Sequence, residues 1–276
     1  MTLLLQVSDP HFGTEQAPVV AALERLVAAQ RPDVLLLSGD ITQRATAAQF
    51  AAARAFVDRL QVPVLLAVPG NHDIPLFNLA QRLLQPYARY QQAVGSDLEP
   101  EFDGPSVLVL AVNTTRWWRH ADGEVSAAQI QRVATRLARA TARQWKLVLL
   151  HQPVVVTREE DRKNLLHGHA QAVQRWRAAG ADMVLGGHIH LPFLLALPTP
   201  GPGGRGVQAT GPVLWAVQAG TAVSSRVRAE AGNSVNLIRV ADSGPRQAAV
   251  ERWDHDAGLQ QFTCVAQQAL PGRPPG

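Results

Sequence analysis

The sequence holds a single cysteine, Cys264, among its 276 residues. A disulfide framework and a thiolate metal cluster are therefore both excluded. Lysine is nearly as scarce. Lys146 and Lys163 stand alone, so arginine carries almost all of the positive charge behind the formal net value of +4. No block of five or more like charges occurs, which leaves no footprint for specific nucleic-acid binding, although the balance fits a mild preference for anionic substrates. No apolar run approaches the roughly 18 residues that a membrane span requires. The opening Met1-Thr2-Leu3-Leu4-Leu5 lacks the basic region and long apolar stretch of a signal peptide. The reading is a cytoplasmic soluble protein. Peripheral contact with a membrane and the oligomeric state stay open.

What is present is a globular composition, 46% hydrophobic and 17% charged, in a chain long enough to bury a large core. Near-continuous apolar runs at Leu3 to Val7, Val34 to Leu37, Val64 to Val68, Val107 to Val112, Leu147 to Leu150 and Met183 to Leu185 predict strands buried on both faces. Helical periodicity lies between them, with shared faces at Val20, Leu23 and Val27, at Phe50, Val57 and Leu60, and at Ile130, Val133 and Leu137. Thr46 with Gln49 and Ser126 with Gln129 have capping-box spacing at two helix starts. Residues 76 to 94 read as helical with a break at Pro86. The segment 197–212 is rich in proline and glycine and reads as an exposed connection. Val213 to Val217, Val235 to Val240 and Ala248 to Trp253 then follow as antiparallel strands. Strand–helix alternation followed by consecutive strands predicts one α/β domain over residues 1–268 with a mixed sheet system, and a disordered tail at 269–276.

The chemistry sits where the apolar runs stop. The stretch VPGNHDIP, residues 68–75, ends one of them with an amide, an imidazole and a carboxylate in succession. A turn accounts for Pro69-Gly70-Asn71 but not for His72. Other runs end alike: Ser8-Asp9-Pro10-His11, Ser38-Gly39-Asp40, His151-Gln152-Pro153 and Gly186-Gly187-His188-Ile189-His190. Ligands of α/β folds gather beyond the carboxyl ends of the strands, so five predicted strands bring oxygen and imidazole donors to one rim. Two divalent cations sharing a carboxylate need such a set, and the lack of thiolates points to Mn, Fe or Zn. Alternation in extended segments would bring Asp9 with His11, and His188 with His190, to one side.

In order, the blocks Asp9-Pro10-His11, Gly39-Asp40, Gly70-Asn71-His72-Asp73, His151 and Gly187-His188-Ile189-His190 resemble the motif series of the calcineurin-like metallophosphoesterases. The resemblance implies two face-to-face mixed β-sheets flanked by helices, an αββα sandwich. It implies one metal held by Asp9, His11, Asp40 and His190 and a second held by Asp40, Asn71, His151 and His188, with Asp40 as the bridge. By the same resemblance, a hydroxide bridging the metals attacks a phosphoester, and His72 serves as general acid toward the leaving group. Asp73 is expected to orient a neighbouring group.

The protein Ser/Thr phosphatases of this superfamily carry a second aspartate where Gln43 stands, which argues against that activity and removes a carboxylate expected to orient the acid histidine. The pattern is most similar to the bacterial class III cyclic nucleotide and glycerophosphodiester phosphodiesterases, with a cyclic nucleotide the first substrate guess. A pyrophosphatase of a nucleotide-sugar lipid and a non-catalytic scaffold of the same fold are the alternatives. Of the remaining polar groups, His167 and His169 are expected at the surface or a helix cap, His120 and His255 at the surface, and Trp117-Trp118 in core or rim packing. Arg226 and Arg228 are left between substrate contact and a solvated loop.

Overall fold

The computed structural model describes residues 1–197 and 213–272. The first sheet contains β1 (Thr2–Val7), β2 (Val34–Ser38), β3 (Val64–Val68), β10 (Ser234–Val240), β11 (Gln247–Asp256) and β12 (Gln261–Pro271). Its order is β12-β11-β10-β1-β2-β3, with β1, β2 and β3 parallel and the rest antiparallel. The second contains β4 (Glu101–Asp103), β5 (Val107–Ala111), β6 (Trp145–Leu149), β7 (Met183–Gly186), β8 (Phe193–Leu197) and β9 (Leu214–Gln218). Its order is β4-β5-β6-β7-β9-β8, a parallel centre with an antiparallel strand at each edge.

The central strands β1, β2, β3, β5, β6 and β7 are apolar over most of their length because both of their faces are covered. Leu3, Leu5, Val7, Leu35 and Leu37 pack with α1 (Ala17–Gln30) and α2 (Ala47–Leu60). The residues between them, Leu4, Val34 and Leu36, turn instead toward Val107, Val109, Leu147, Leu149, Met183 and Leu185 of the other sheet. Beyond that, Leu108, Leu110, Val148 and Val184 pack against α5 (Ala127–Arg139) and α6 (His169–Ala178). The period of two in a strand thus sorts consecutive apolar residues into three buried layers. The architecture is the αββα sandwich that the motif series implied.

Several local readings change. Asp9, His11, His188 and His190 are not in extended backbone. They have positive φ of 50°, 43°, 72° and 55°, in the loops that follow β1 and β7. The Thr46 hydroxyl accepts from Gln49 N, but the Gln49 amide turns to Arg44 N, leaving half a capping box, whereas the Ser126–Gln129 box is complete. Residues 76–94 form two short helices, α3 (Leu79–Leu84) and α4 (Ala88–Ala93), parted at Gln85-Pro86 as expected. Ala269 and Leu270 lie in β12, paired with Ala249 and Ala248, because the edge of the sheet offers them free ladder groups. Residues 273–276 of the expected tail, and 198–212 of the expected connection, lie outside the described residues. His255 is half-buried against the Phe262 ring at 5.5 Å rather than exposed.

Candidate metal centre

The carboxyl ends of β1, β2, β3, β6 and β7 meet at one rim, and each loop leaving them contributes a polar side chain. Five of the nine described non-glycine residues with positive φ are there: Asp9, His11, Asp40, His188 and His190. The left-handed region costs energy for residues with a Cβ, and such outliers cluster at functional sites. Gly39, at φ +87°, shows how tight the packing is. A Cβ there would lie within van der Waals overlap of the His151 ring. The Cβ that Gly187 lacks would collide with Ser8 and Asp9.

The donor atoms fall into two groups, Asp9 with His11 and His190, and Asp40 with His151 and His188, each group lying within 4.8 Å of itself. In the first group, Asp9 Oδ1 is 3.3 Å from His190 Nε2 and 3.8 Å from His11 Nε2, and the two imidazole Nε2 atoms are 3.1 Å apart. In the second, His151 Nε2 is 3.3 Å from His188 Nδ1 and 3.3 Å from Asn71 Oδ1. Asp40 faces both, with Oδ2 3.7 Å from His11 Nε2 and Oδ1 3.4 Å from His151 Nε2.

Donors bound to one divalent cation at about 2.1 Å stand roughly 3 to 3.5 Å from each other. The spacing fits. So does the chemistry: Asp9 Oδ1 is buried and accepts no hydrogen bond among the described residues, and buried polar atoms otherwise find partners. The residues present are therefore suited to two divalent cations held by nitrogen and oxygen.

Surrounding groups orient these donors. The Nδ1 atom of His151 is 2.7 Å from the Ser38 carbonyl and that of His190 is 2.5 Å from the Arg226 carbonyl. An N–H donated there leaves Nε2 with its lone pair toward the centre. Asp9 Oδ2 accepts from Ser8 Oγ at 2.5 Å and from His188 N at 2.9 Å. Asp73 is buried and accepts from Ile41 N, Thr42 N, Thr42 Oγ1 and Gly70 N at 2.8–3.0 Å, tying the loop after β2 to the loop after β3. Burial, with the charge of Asp40 beside it, lifts the Asp73 carboxyl to about 6.

Electrostatics divide the imidazoles. Burial pulls His151 down, but the charges of Asp40 and Asp9 and the Ser38 carbonyl outweigh it and carry its pKa up to about 9. Burial, with the charge of His151, holds His188 at about 4. Burial also brings His11 to about 4, against the pull of Asp40 and Asp9. Burial alone would raise Asp9 and Asp40. The nearby imidazoles, His190 for Asp9 and His151 for Asp40, instead keep both below the ordinary carboxylate range.

His72 lies beside this cluster, its ring edge-on to His11 at 5.0 Å. Its Nδ1 is 2.9 Å from the backbone carbonyl of Gln43. The orienting group expected from an aspartate at that position is thus supplied by the main chain, which no side-chain pattern announces. Arg226 Nη1 lies 3.1 Å from His72 Nε2 and 2.9 Å from Gln43 Oε1. Arg228 faces away into ion pairs with Asp161, Glu160 and Glu230. His167 stands exposed near Asp122 and His169 opens α6 with Nδ1 on the Leu166 carbonyl, so neither joins the centre. Trp117 and Trp118 stack edge-on at the surface, 38% and 56% exposed, and are not core.

A family model for the calcineurin-like phosphoesterases matches residues 2–192. Among known proteins, the chain is similar to a probable cyclic nucleotide phosphodiesterase of Synechococcus sp., 28% identical over 213 residues that make up 70% of this chain and 76% of that protein. It is also similar to the glycerophosphodiester phosphodiesterase GpdQ of Enterobacter lignolyticus, 34% identical over 84 residues, 26% of this chain and 29% of that one. Among solved structures, a dimetal phosphatase from Danio rerio superposes with a TM-score of 0.70 over 99% of both chains. At 13% identity that likeness concerns the fold alone.

Proposed function

The chain belongs to the calcineurin-like phosphoesterase family, and from that premise we propose that it is a dinuclear metal-dependent phosphodiesterase, with a cyclic nucleotide as the first substrate to test. The observation that carries the reading is Asp40, whose two oxygens face two separate donor groups from one buried position. Asp9, His11, Asp40 and His190 hold one cation in this reading, and Asp40, Asn71, His151 and His188 hold the other. Two such cations, Mn, Fe or Zn by their donor set, would lower the pKa of bound water toward neutrality and would offset charge on the phosphoryl oxygens.

The chain's own residues do the rest. The Ser38 and Arg226 carbonyls hold His151 and His190 in the tautomer that presents Nε2 inward. His72, with Nδ1–H donated to the Gln43 carbonyl, acts as general acid in its doubly protonated form, passing the Nε2 proton to the departing alkoxide, a contribution of about 10²–10⁴-fold for poor leaving groups. Arg226 Nη1 brings a permanent positive charge to the same spot, where it complements an anionic ester oxygen.

The test is turnover by purified, Mn²⁺-loaded protein of bis(p-nitrophenyl) phosphate, then of cyclic nucleotides, glycerophosphodiesters, nucleotide sugars and monoesters. Diester hydrolysis that disappears on chelation is expected. A fully metal-loaded protein inert toward every ester in that panel would leave a scaffold as the correct reading.

A further inference from the structure

A cleft of about 80 Å³ opens beside the centre, and Asn71 and His72 line both. Its other walls include Arg44, Arg82, His120 and Leu76. The arginines here have no carboxylate partner among the described residues. Arg82 donates Nη1 to the Pro75 carbonyl at 3.2 Å and Nη2 to the Arg119 carbonyl at 2.7 Å. The Arg44 guanidinium lies over the Phe77 ring, 5.5 Å from its centroid. Arg226, beside His72, donates through its guanidinium to the Gln43 amide oxygen and contacts that imidazole.

Neighbouring arginines behave otherwise. Arg119 pairs with Glu124 and Asp122, and Arg228 with three carboxylates. Neither 74–96 nor 104–121, the segments that meet at the Arg82–Arg119 contact, contains an aspartate or glutamate, and Asp122 and Glu124 just beyond them pair with Arg119. Burial without a counter-charge holds the Arg82 guanidinium below its ordinary pKa. An anion beside it would offset that cost with charge-assisted hydrogen bonds. Since water occupies about 30 Å³ per molecule in the liquid, the cleft has room for a group of a few heavy atoms.

We propose that this cleft is a subsite for a second anionic group, a carboxylate or phosphate, carried by the leaving portion of the substrate. The inference rests on the phosphodiesterase reading and narrows it. The preferred ester is one whose leaving alcohol or phosphate bears its own negative charge, because His72, the proton donor to the leaving group in that reading, lines the cleft. A cyclic nucleotide, with its single charge, leaves the cleft unfilled.

Ethyl phosphate and phosphoglycolate differ only in a carboxylate where the first has a methyl group. As competitive inhibitors of bis(p-nitrophenyl) phosphate hydrolysis by the Mn²⁺-loaded enzyme, phosphoglycolate is expected to bind at least tenfold more tightly. In Arg82→Gln that ratio falls toward one, Arg82→Lys restores part of it, and Arg44→Gln, at an exposed position that does not threaten folding, lowers it as well. Equal inhibition by the two compounds in the wild type would overturn the subsite, as would a ratio unchanged in both glutamine variants. Metal-loaded wild type that does not hydrolyse the reporter ester at all would overturn the phosphodiesterase reading instead.

Discussion

His72 is held by a single backbone carbonyl on one side and a guanidinium on the other. It provides no donor to either metal-ligand group. Replacing it with alanine therefore leaves metal content intact. Hydrolysis of alkyl diesters is expected to fall by about 10²–10³-fold, and that of p-nitrophenyl esters by much less, because only the poorer leaving group needs a proton. Steady-state rates on the two ester types check this, and equal losses would reject the acid role. His151 gives a second prediction. With its pKa raised to about 9 in the metal-free protein, it is charged at neutral pH, and a cation must displace that proton. Metal affinity is thus expected to rise at least tenfold per pH unit between pH 6 and 8. Burial lowers His190 but the charge of Asp9 raises it on balance, so it adds to the proton release, while His11 and His188, at about 4, are already neutral there. Calorimetric titration with Mn²⁺ at several pH values measures it, and a flat profile would contradict it. The convergence of Asp9, His11, Asp40, Asn71, His151, His188 and His190 at one rim was legible in the sequence, since each follows an apolar run and all of them together exceed what turns and buried histidines explain. The Gln43 carbonyl was not legible, because a main-chain acceptor belongs to every residue. Arg226 was only half legible: its segment carries no strand signal and reaches the centre from 154 residues beyond His72.

At the scale of elements, the loops after β2 and β3 act as one unit through the Asp73 carboxylate, which accepts four hydrogen bonds from them. Asp73→Ala strands three buried backbone N–H groups at about 1–3 kcal/mol each. Relief of the buried charge offsets part of that. A net loss of about 3 kcal/mol in metal-free stability by urea denaturation is expected, together with weaker metal binding as Asp40 and Asn71 lose their common anchor. A change below about 1 kcal/mol would show that the loops hold without the clamp. Strands β1, β2, β3, β5, β6 and β7 were read correctly because being buried on both faces leaves a nearly plain apolar run, whereas β9, expected to be antiparallel beside β10, lies in the other sheet and runs parallel to β7. The edge strands were harder. β4 spans three residues with two acidic side chains, and β8 merges into the proline- and glycine-rich segment. The outer edge β12 carries Gln267 and Gln268 on an exposed surface, so it gives no apolar signal. The positive φ at Asp9, His11, His188 and His190 was not legible either. Alternate spacing predicts convergence from extended backbone, and the same convergence is reached here through left-handed residues in loops.

For the whole molecule, the three buried layers put the centre where both sheets end, so metal binding and global stability are linked. Cations that bind the folded chain and not the unfolded one stabilise it by about 2.7 kcal/mol at a hundredfold excess over Kd. For a chain of this size that corresponds to a rise in Tm of roughly 5 °C or more. Calorimetry before and after chelation measures the shift, and an unchanged Tm with metal demonstrably removed would separate the centre from the fold. The sandwich was legible from strand–helix alternation together with the motif order. The way consecutive apolar residues divide between helix-facing and sheet-facing layers follows only once the strands are paired.

The central claim is that two cations share Asp40 at this rim. Anomalous scattering from a crystal of the protein loaded with Mn²⁺ tests it most directly. Two peaks about 3.5–4 Å apart are expected, one beside Asp9, His11 and His190 and the other beside Asn71, His151 and His188, with Asp40 reaching both. A single peak at full loading, or peaks away from Asp40, would contradict it.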